Sequence, residues 1–125
     1  MLLLPAAYLG YHLALIGGMV VHALAESFCP PEAVVSGLCS AAYFRQVEKV
    51  LSIVFPGIAA VLVVLLPSVI APTRKTAVAA AFLLLGGSVA VYLAAALHEW
   101  VALVFALICG GVTALAVLVH QKKAP

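Results

Sequence analysis

The chain contains no Asp and no Asn, and its four Glu and six Lys or Arg make charged residues only 8% of the total. Soluble domains carry about 25%. So little charge excludes a disordered segment, a coiled coil and a nucleic-acid-binding surface, each of which depends on charged side chains. No nucleic-acid partner is therefore expected. The acidic residues are also absent from every long apolar run. A proton- or cation-coupled transporter normally keeps a carboxylate there, so autonomous ion-coupled transport is not expected. There is no paired carboxylate for acid–base work, no nucleophile–base constellation and no Cys-x-x-Cys pair. The three cysteines are Cys29, Cys39 and Cys109. No catalytic residue, metal site or cofactor is assigned, and the chain is not expected to be an enzyme.

What remains is hydrophobic. Apolar residues make up 67% of the 125 positions, and the mean hydropathy is +1.32. This is the composition of an integral membrane protein. A spanning helix needs about 20 mostly apolar residues, and four stretches qualify, at about 2–25, 50–71, 76–97 and 101–119. The expectation is an all-α membrane protein, a single domain over 1–125 built as an up-down bundle of four transmembrane helices. The connections at 72–75 and 98–100 are too short for anything but antiparallel neighbours. Ala23-Leu24-Ala25 has the shape of a signal-peptidase site. No basic residue precedes the apolar run, however, and His12, Gly17-Gly18 and His22 interrupt it. The segment is read as a retained first helix.

Charge sets the expected orientation. Arg74, Lys75, Lys122 and Lys123 fall on one side with no acidic side chain, whereas Glu26, Glu32, Glu48 and Glu99 fall on the other with only Arg45 and Lys49. By the positive-inside rule both termini and 72–75 are cytoplasmic, and 26–49 and 98–100 lie outside. A bacterial inner membrane is the expected location. In the outer loop 26–49, Cys29 and Cys39 are expected to form a structural disulfide in an oxidising compartment. Pro30-Pro31 stiffens the chain after the first, and Gly37 supplies a turn before the second. Ala42 to Lys49 reads as a short interfacial helix in which Arg45 and Glu48 can pair. Tyr43, Phe44 and Trp100 suit the headgroup belt.

Small residues recur at four-residue spacing in three helices: Gly10, Ala14 and Gly18; Gly86, Ala90 and Ala94; Ala102, Ala106, Gly110 and Ala114. Such stripes let backbones approach where lipid offers no hydrophobic driving force. The expectation is a tight waist among the first, third and fourth helices, the alternative being room for a lipid tail, quinone or pigment. The second helix, rich in Val and Leu and interrupted by Pro56 and Pro67, is expected to bend and to face lipid or a partner subunit. On the first helix, Tyr8, His12, Leu15, Met19, His22 and Glu26 share a face. His12 is expected to hydrogen-bond a neighbouring helix through Tyr8, Tyr11 or Thr113, with ligand binding or proton transfer as alternatives. His22, Glu26, His98 and Glu99 form a candidate outer ligand-binding group. Cys109 is expected to be an inert thiol in an apolar setting.

Known tetraspan families do not supply a reading. Quinone-linked four-helix thiol oxidoreductases carry a Cys-x-x-Cys, small multidrug transporters carry a glutamate in the core of the first helix, and claudin-like proteins carry Trp-Gly-Leu-Trp. None of these signatures occurs here. The expected function is a small non-catalytic accessory or structural subunit, whose partners are the lipid bilayer and other integral membrane subunits that it stabilises or helps to assemble. The alternative is a small membrane redox or ligand-binding protein that holds haem, quinone or lipid with the histidines of the first and third helices.

Overall fold

The computed structural model describes residues 2–123, with side chains as far as Gln121. It is all-helical apart from one small hairpin. Four helices run over Leu3–Ser27 (α1), Ala42–Ile70 (α2), Lys75–Leu97 (α3) and Trp100–Lys123 (α4). Each is long and apolar enough to cross a membrane, and together they pack as a bundle. The outward faces carry large apolar side chains such as Leu4, Leu84, Tyr92 and Leu115. An aqueous surface could not carry so many, but the hydrocarbon of a bilayer accommodates them.

The second helix starts eight residues earlier than its apolar run. Residues 42–49 are not a separate interfacial helix but the first two turns of α2, which has 29 residues and is about 43 Å long. That exceeds a hydrocarbon core of about 30 Å, so the polar turns around Arg45 and Glu48 project beyond it. Helical backbone continues through them because it already satisfies their N–H and C=O groups.

The packing order differs from the one expected. α2 is the hub. It packs against α1, α3 and α4, and α3 also packs on α4, whereas the substantial contacts of α1 are with α2 alone. The expected waist among α1, α3 and α4 is not formed, and α2 is not the lipid-facing helix. Val64, Pro67 and Ser68 of α2 are the largest fully buried side chains. The physical reason lies in the knobs. The small stripes do not pair with one another but receive larger side chains, those of α2 at the α1 stripe and Leu83 of α3 at the α4 stripe. Gly10 faces Leu62 and Leu66, and Gly17 and Gly18 face the Phe55 ring. Gly110 lies between Leu83 of α3 and Ala60 of α2, and only at Gly57 is the relation reversed, where α2 receives Phe105 of α4. The α4 stripe is buried as expected, with Ala102, Ala106, Gly110 and Ala114 all inside. Ala114 meets Val64 and Ala79 in a small core at the basic end.

α2 also runs as one helix through both prolines. Proline has no N–H, so Pro67 leaves the Val63 carbonyl without its usual donor. Next to it, the buried Ser68 hydroxyl donates to the Val64 carbonyl at 2.5 Å. Nonpolar surroundings make such local bonding obligatory.

Between α1 and α2, a two-residue turn at Ser36-Gly37 joins β1 (Val34–Val35) to β2 (Leu38–Cys39). Both turn residues have positive φ, 53° and 82°, the arrangement a tight antiparallel hairpin requires. Glycine at the second place carries no side-chain penalty. Cys29 and Cys39 are joined by a disulfide, as expected, with Cα atoms 5.9 Å apart. Ser40 closes the loop, its N–H and hydroxyl both donating to the Ala33 carbonyl. Mass spectrometry of alkylated, unreduced protein is expected to find Cys29 linked to Cys39 and a free thiol at Cys109. Two alkylated cysteines in the loop would contradict the pairing.

Candidate functional site

The histidines do not assemble into one centre. His12 sits on α1, half-buried, and its Nδ1 donates to the Tyr8 carbonyl of its own helix at 2.9 Å. It does not bridge to a neighbouring helix, and the Thr113 hydroxyl is spent on the Cys109 carbonyl. The cause is reach. With no water in the hydrocarbon, an imidazole N–H takes the nearest acceptor, and the carbonyl one turn back is always in range. A carbonyl can only accept, so the proton lies on Nδ1 and the lone pair on Nε2. The ring lies tilted by 38° against Tyr8 at 3.9 Å between centroids and meets Tyr11 edge-on at 5.5 Å.

His22 forms a different group. Its Nδ1 lies 4.0 Å from Glu26 Oε2 and its Nε2 lies 3.6 Å from Glu48 Oε1. The ring rests edge-on against Phe44 at 5.2 Å, and Phe44 is buried. Thus Glu48 faces His22 of α1 rather than pairing with Arg45, the partner that the spacing of those two residues suggests. The two carboxylates hold opposite nitrogens of the ring, so they do not converge on one ion. No cluster of three metal-ligating side chains occurs among the described residues. The group clasps the loop end of α1 to α2. It is partly solvated, so each ion pair contributes at most about 1 kcal/mol.

His98 and Glu99 lie elsewhere. His98, with φ 59°, ends α3 in the left-handed conformation, and Glu99 accepts the first backbone bond of α4 from Leu103. They make the turn between α3 and α4. Among the described residues no ion pair or ring contact joins them to His22 or Glu26. Of the expected group of His22, Glu26, His98 and Glu99, direct contact is thus made between His22 and Glu26. Glu48 and Phe44, the partners of His22, were legible in principle, since they are four apart on one face of the turns at 42–49.

A lateral groove, apolar rather than polar, opens within the spanning region. α1 leans on α2 alone, so it leaves a slot of about 380 Å³ between itself and α3. α2 floors the slot with Pro56, Ala60 and Val63. Ala7, Tyr8 and Tyr11 belong to the α1 wall, and the α3 wall sets Gly86, Gly87 and Ala90 among larger side chains such as Phe82, Leu85 and Leu93. The lining is almost wholly apolar. Gly86 is open on this side, because a Cβ placed there would meet only Val63 at 3.8 Å. The upper part of the α3 stripe, Gly86 and Ala90, is thus half-buried and opens into the groove, while Ala94 is fully packed.

The fold and these sites define a small four-helix protein with the composition of an integral membrane protein. Comparison with protein-family models, with curated proteins and with solved structures gives no match.

Proposed function

We propose that this chain is a non-catalytic accessory subunit of a larger membrane complex, which it stabilises or helps to assemble by seating a transmembrane helix of a partner in the groove between α1 and α3. The observation that carries this reading is the small-residue patch of Gly86 and Ala90 on the groove, where a Cβ at Gly86 would meet only Val63 at 3.8 Å. Small-residue stripes are the surfaces on which membrane helices approach one another, since lipid tails are as apolar as leucine and only close packing distinguishes a partner from lipid. Affinity purification of the full chain from its native membranes in mild detergent, followed by mass spectrometry, is the test. A stoichiometric integral membrane partner is expected. A chain that purifies alone at every detergent concentration overturns the reading.

A second reading draws on His12. Its Nε2 lone pair and the neighbouring Tyr8, which also lines the groove, suit a redox or ligand-binding protein whose haem, quinone or lipid has an apolar tail in the slot. An absorption spectrum and a lipid extract of the purified chain separate the two, because a Soret band or a quinone recovered in equal amount favours this second reading.

The proposed orientation is both termini cytoplasmic, in a bacterial inner membrane, with the disulfide loop outside. Arg74 and Lys75 at the start of α3, together with Lys122 and Lys123 at the end of α4, support it through the positive-inside rule. Alkaline phosphatase fused after Pro125 is expected to be inactive, whereas a fusion within the loop at Gly37 is expected to be active. The opposite pattern overturns the orientation.

A further inference from the structure

At the end of the bundle opposite the disulfide loop, a second cavity of about 820 Å³ opens between α2, α3 and α4. Its size lies within the about 300–1,000 Å³ of ligand sites. Its chemistry is graded along the helix axis. The apolar part is Leu65, Val69, Ala116 and Val117, and the rim is Lys75 and Thr76 of α3 with His120 and Gln121 of α4. Thr113, at the far end on α4, lies eight residues from Gln121, so the cavity runs about 12 Å along the helix.

The polar groups away from the rim are already satisfied. Ser68 donates to the Val64 carbonyl and Thr113 donates to the Cys109 carbonyl. The rim groups are not. Gln121 Oε1 accepts the Thr76 N–H at 3.2 Å, which ties the two helix ends together and leaves the amide NH2 of Gln121 as a donor. Lys75 has no ion-pair partner among the described residues, and no Asp or Glu occurs anywhere between Lys49 and His98 or after Glu99. Arg74 precedes Lys75, and Lys122 and Lys123 follow Gln121. The rim is thus a set of convergent donors under a positive field.

We infer that this cavity is a binding site for an anionic phospholipid, with the headgroup phosphate at Lys75, His120 and Gln121 and the first part of an acyl chain against Leu65, Val69 and Val117. A free phosphate would satisfy the rim but would leave the apolar part bare. A zwitterionic lipid would satisfy the apolar part but would bring its own cation to a basic rim. Only an anionic amphiphile matches both, and the rim, at the first turn of α3 and the last of α4, places the phosphate where spanning helices meet the headgroups. Basic pockets between membrane helices take anionic headgroups for the same reason.

Native mass spectrometry of the full chain in detergent, titrated with phosphatidylglycerol or phosphatidylcholine, tests the assignment. Phosphatidylglycerol is expected to be retained in preference. Lys75→Gln is expected to lower its retention about fivefold, the effect of one basic group at a membrane surface. Ala116→Phe keeps every charge but fills the apolar part, and is expected to lower retention at least as much. Arg45→Gln, at the opposite end, is expected to leave it unchanged. The Cys29–Cys39 bond and helical circular dichroism report the fold of each variant, and if Ala116→Phe misfolds then Lys75→Gln against Arg45→Gln decides. Equal retention of the two lipids overturns the assignment, as does a loss by Arg45→Gln equal to that by Lys75→Gln. Displacement of phosphatidylglycerol by millimolar inorganic phosphate overturns it too, because the site would then be one for a soluble anion.

Discussion

Replacing Gly10 by Leu is expected to detach α1 from the rest of the bundle. A Cβ at Gly10 would stand 3.0 Å from Leu66 Cδ1 and 3.1 Å from both the carbonyl carbon and the Cβ of Leu62. The Leu66 methyl can swing aside, but the backbone of α2 cannot, so the two helices must separate. Overpacking of this kind costs on the order of 1–3 kcal/mol in a well-packed core. The consequence here is larger than that figure suggests, because α1 has no other substantial contact to fall back on. Two further substitutions calibrate the effect. Gly57→Leu places a Cβ at 2.6 Å from the Phe105 ring, nominally a worse clash. Yet Phe105 is 38% exposed, so its ring can rotate outward and relieve it. Gly111→Leu has nothing within 4 Å to meet and is expected to be silent. The expected order of destabilisation is therefore Gly10→Leu, then Gly57→Leu, then Gly111→Leu, measured by thermal unfolding in one detergent. Protease accessibility of α1 is expected to rise only in the first. If Gly57→Leu proves the most damaging, the shared α1–α2 interface is not the weak point of the fold.

The same interface shows why spans were legible in the sequence and their neighbours were not. Runs of about 20 apolar residues identify helices in a bilayer because no other open backbone conformation survives there. Partner choice leaves no such mark. α2 is the most apolar span, with a mean hydropathy of 2.7 against 1.5 for α1, and that composition suggests a lipid-facing helix. It is the hub instead, because burial against protein and burial against lipid are equally apolar. Glycine stripes were legible as contact surfaces, and Gly10, Ala14 and Gly110 are buried. Which side chains they receive was not, since Phe55, Leu62 and Leu66, though seven and four apart on one face of α2, stand in a helix whose other faces are equally apolar. Similarly, Glu48 looked like a boundary residue beside Arg45 and Lys49. Its role against His22 depends on α1 packing beside the turns at 42–49, and that neighbour leaves no mark in the local sequence. The disulfide was legible because two cysteines ten positions apart in a turn-rich loop leave few alternatives.

Gly86→Leu is expected to do the opposite of Gly10→Leu, sparing the fold and abolishing assembly. Gly86 lies at nearly the same stage of its own stripe, but its Cβ would meet only Val63 Cγ1 at 3.8 Å, an ordinary contact. The added side chain enters the groove rather than the α2 backbone. The change in stability of the isolated chain is then expected to stay within about 0.5 kcal/mol, the range of substitutions that disturb no packed feature. A partner helix seated against Gly86, Gly87 and Ala90 meets a different situation. The isobutyl group holds the backbones apart at the centre of the contact, where close approach supplies the attraction. Loss of about 1–3 kcal/mol there corresponds to a fall in affinity of roughly 5- to 150-fold, enough to remove the partner from a blue-native gel. His12→Ala supplies the contrast. It removes one bond to the Tyr8 carbonyl and leaves the α3 wall untouched, so assembly is expected to persist. If His12→Ala abolishes function in membranes where the complex still forms, and Gly86→Leu does neither, the groove holds a ligand through α1 and the accessory-subunit reading fails.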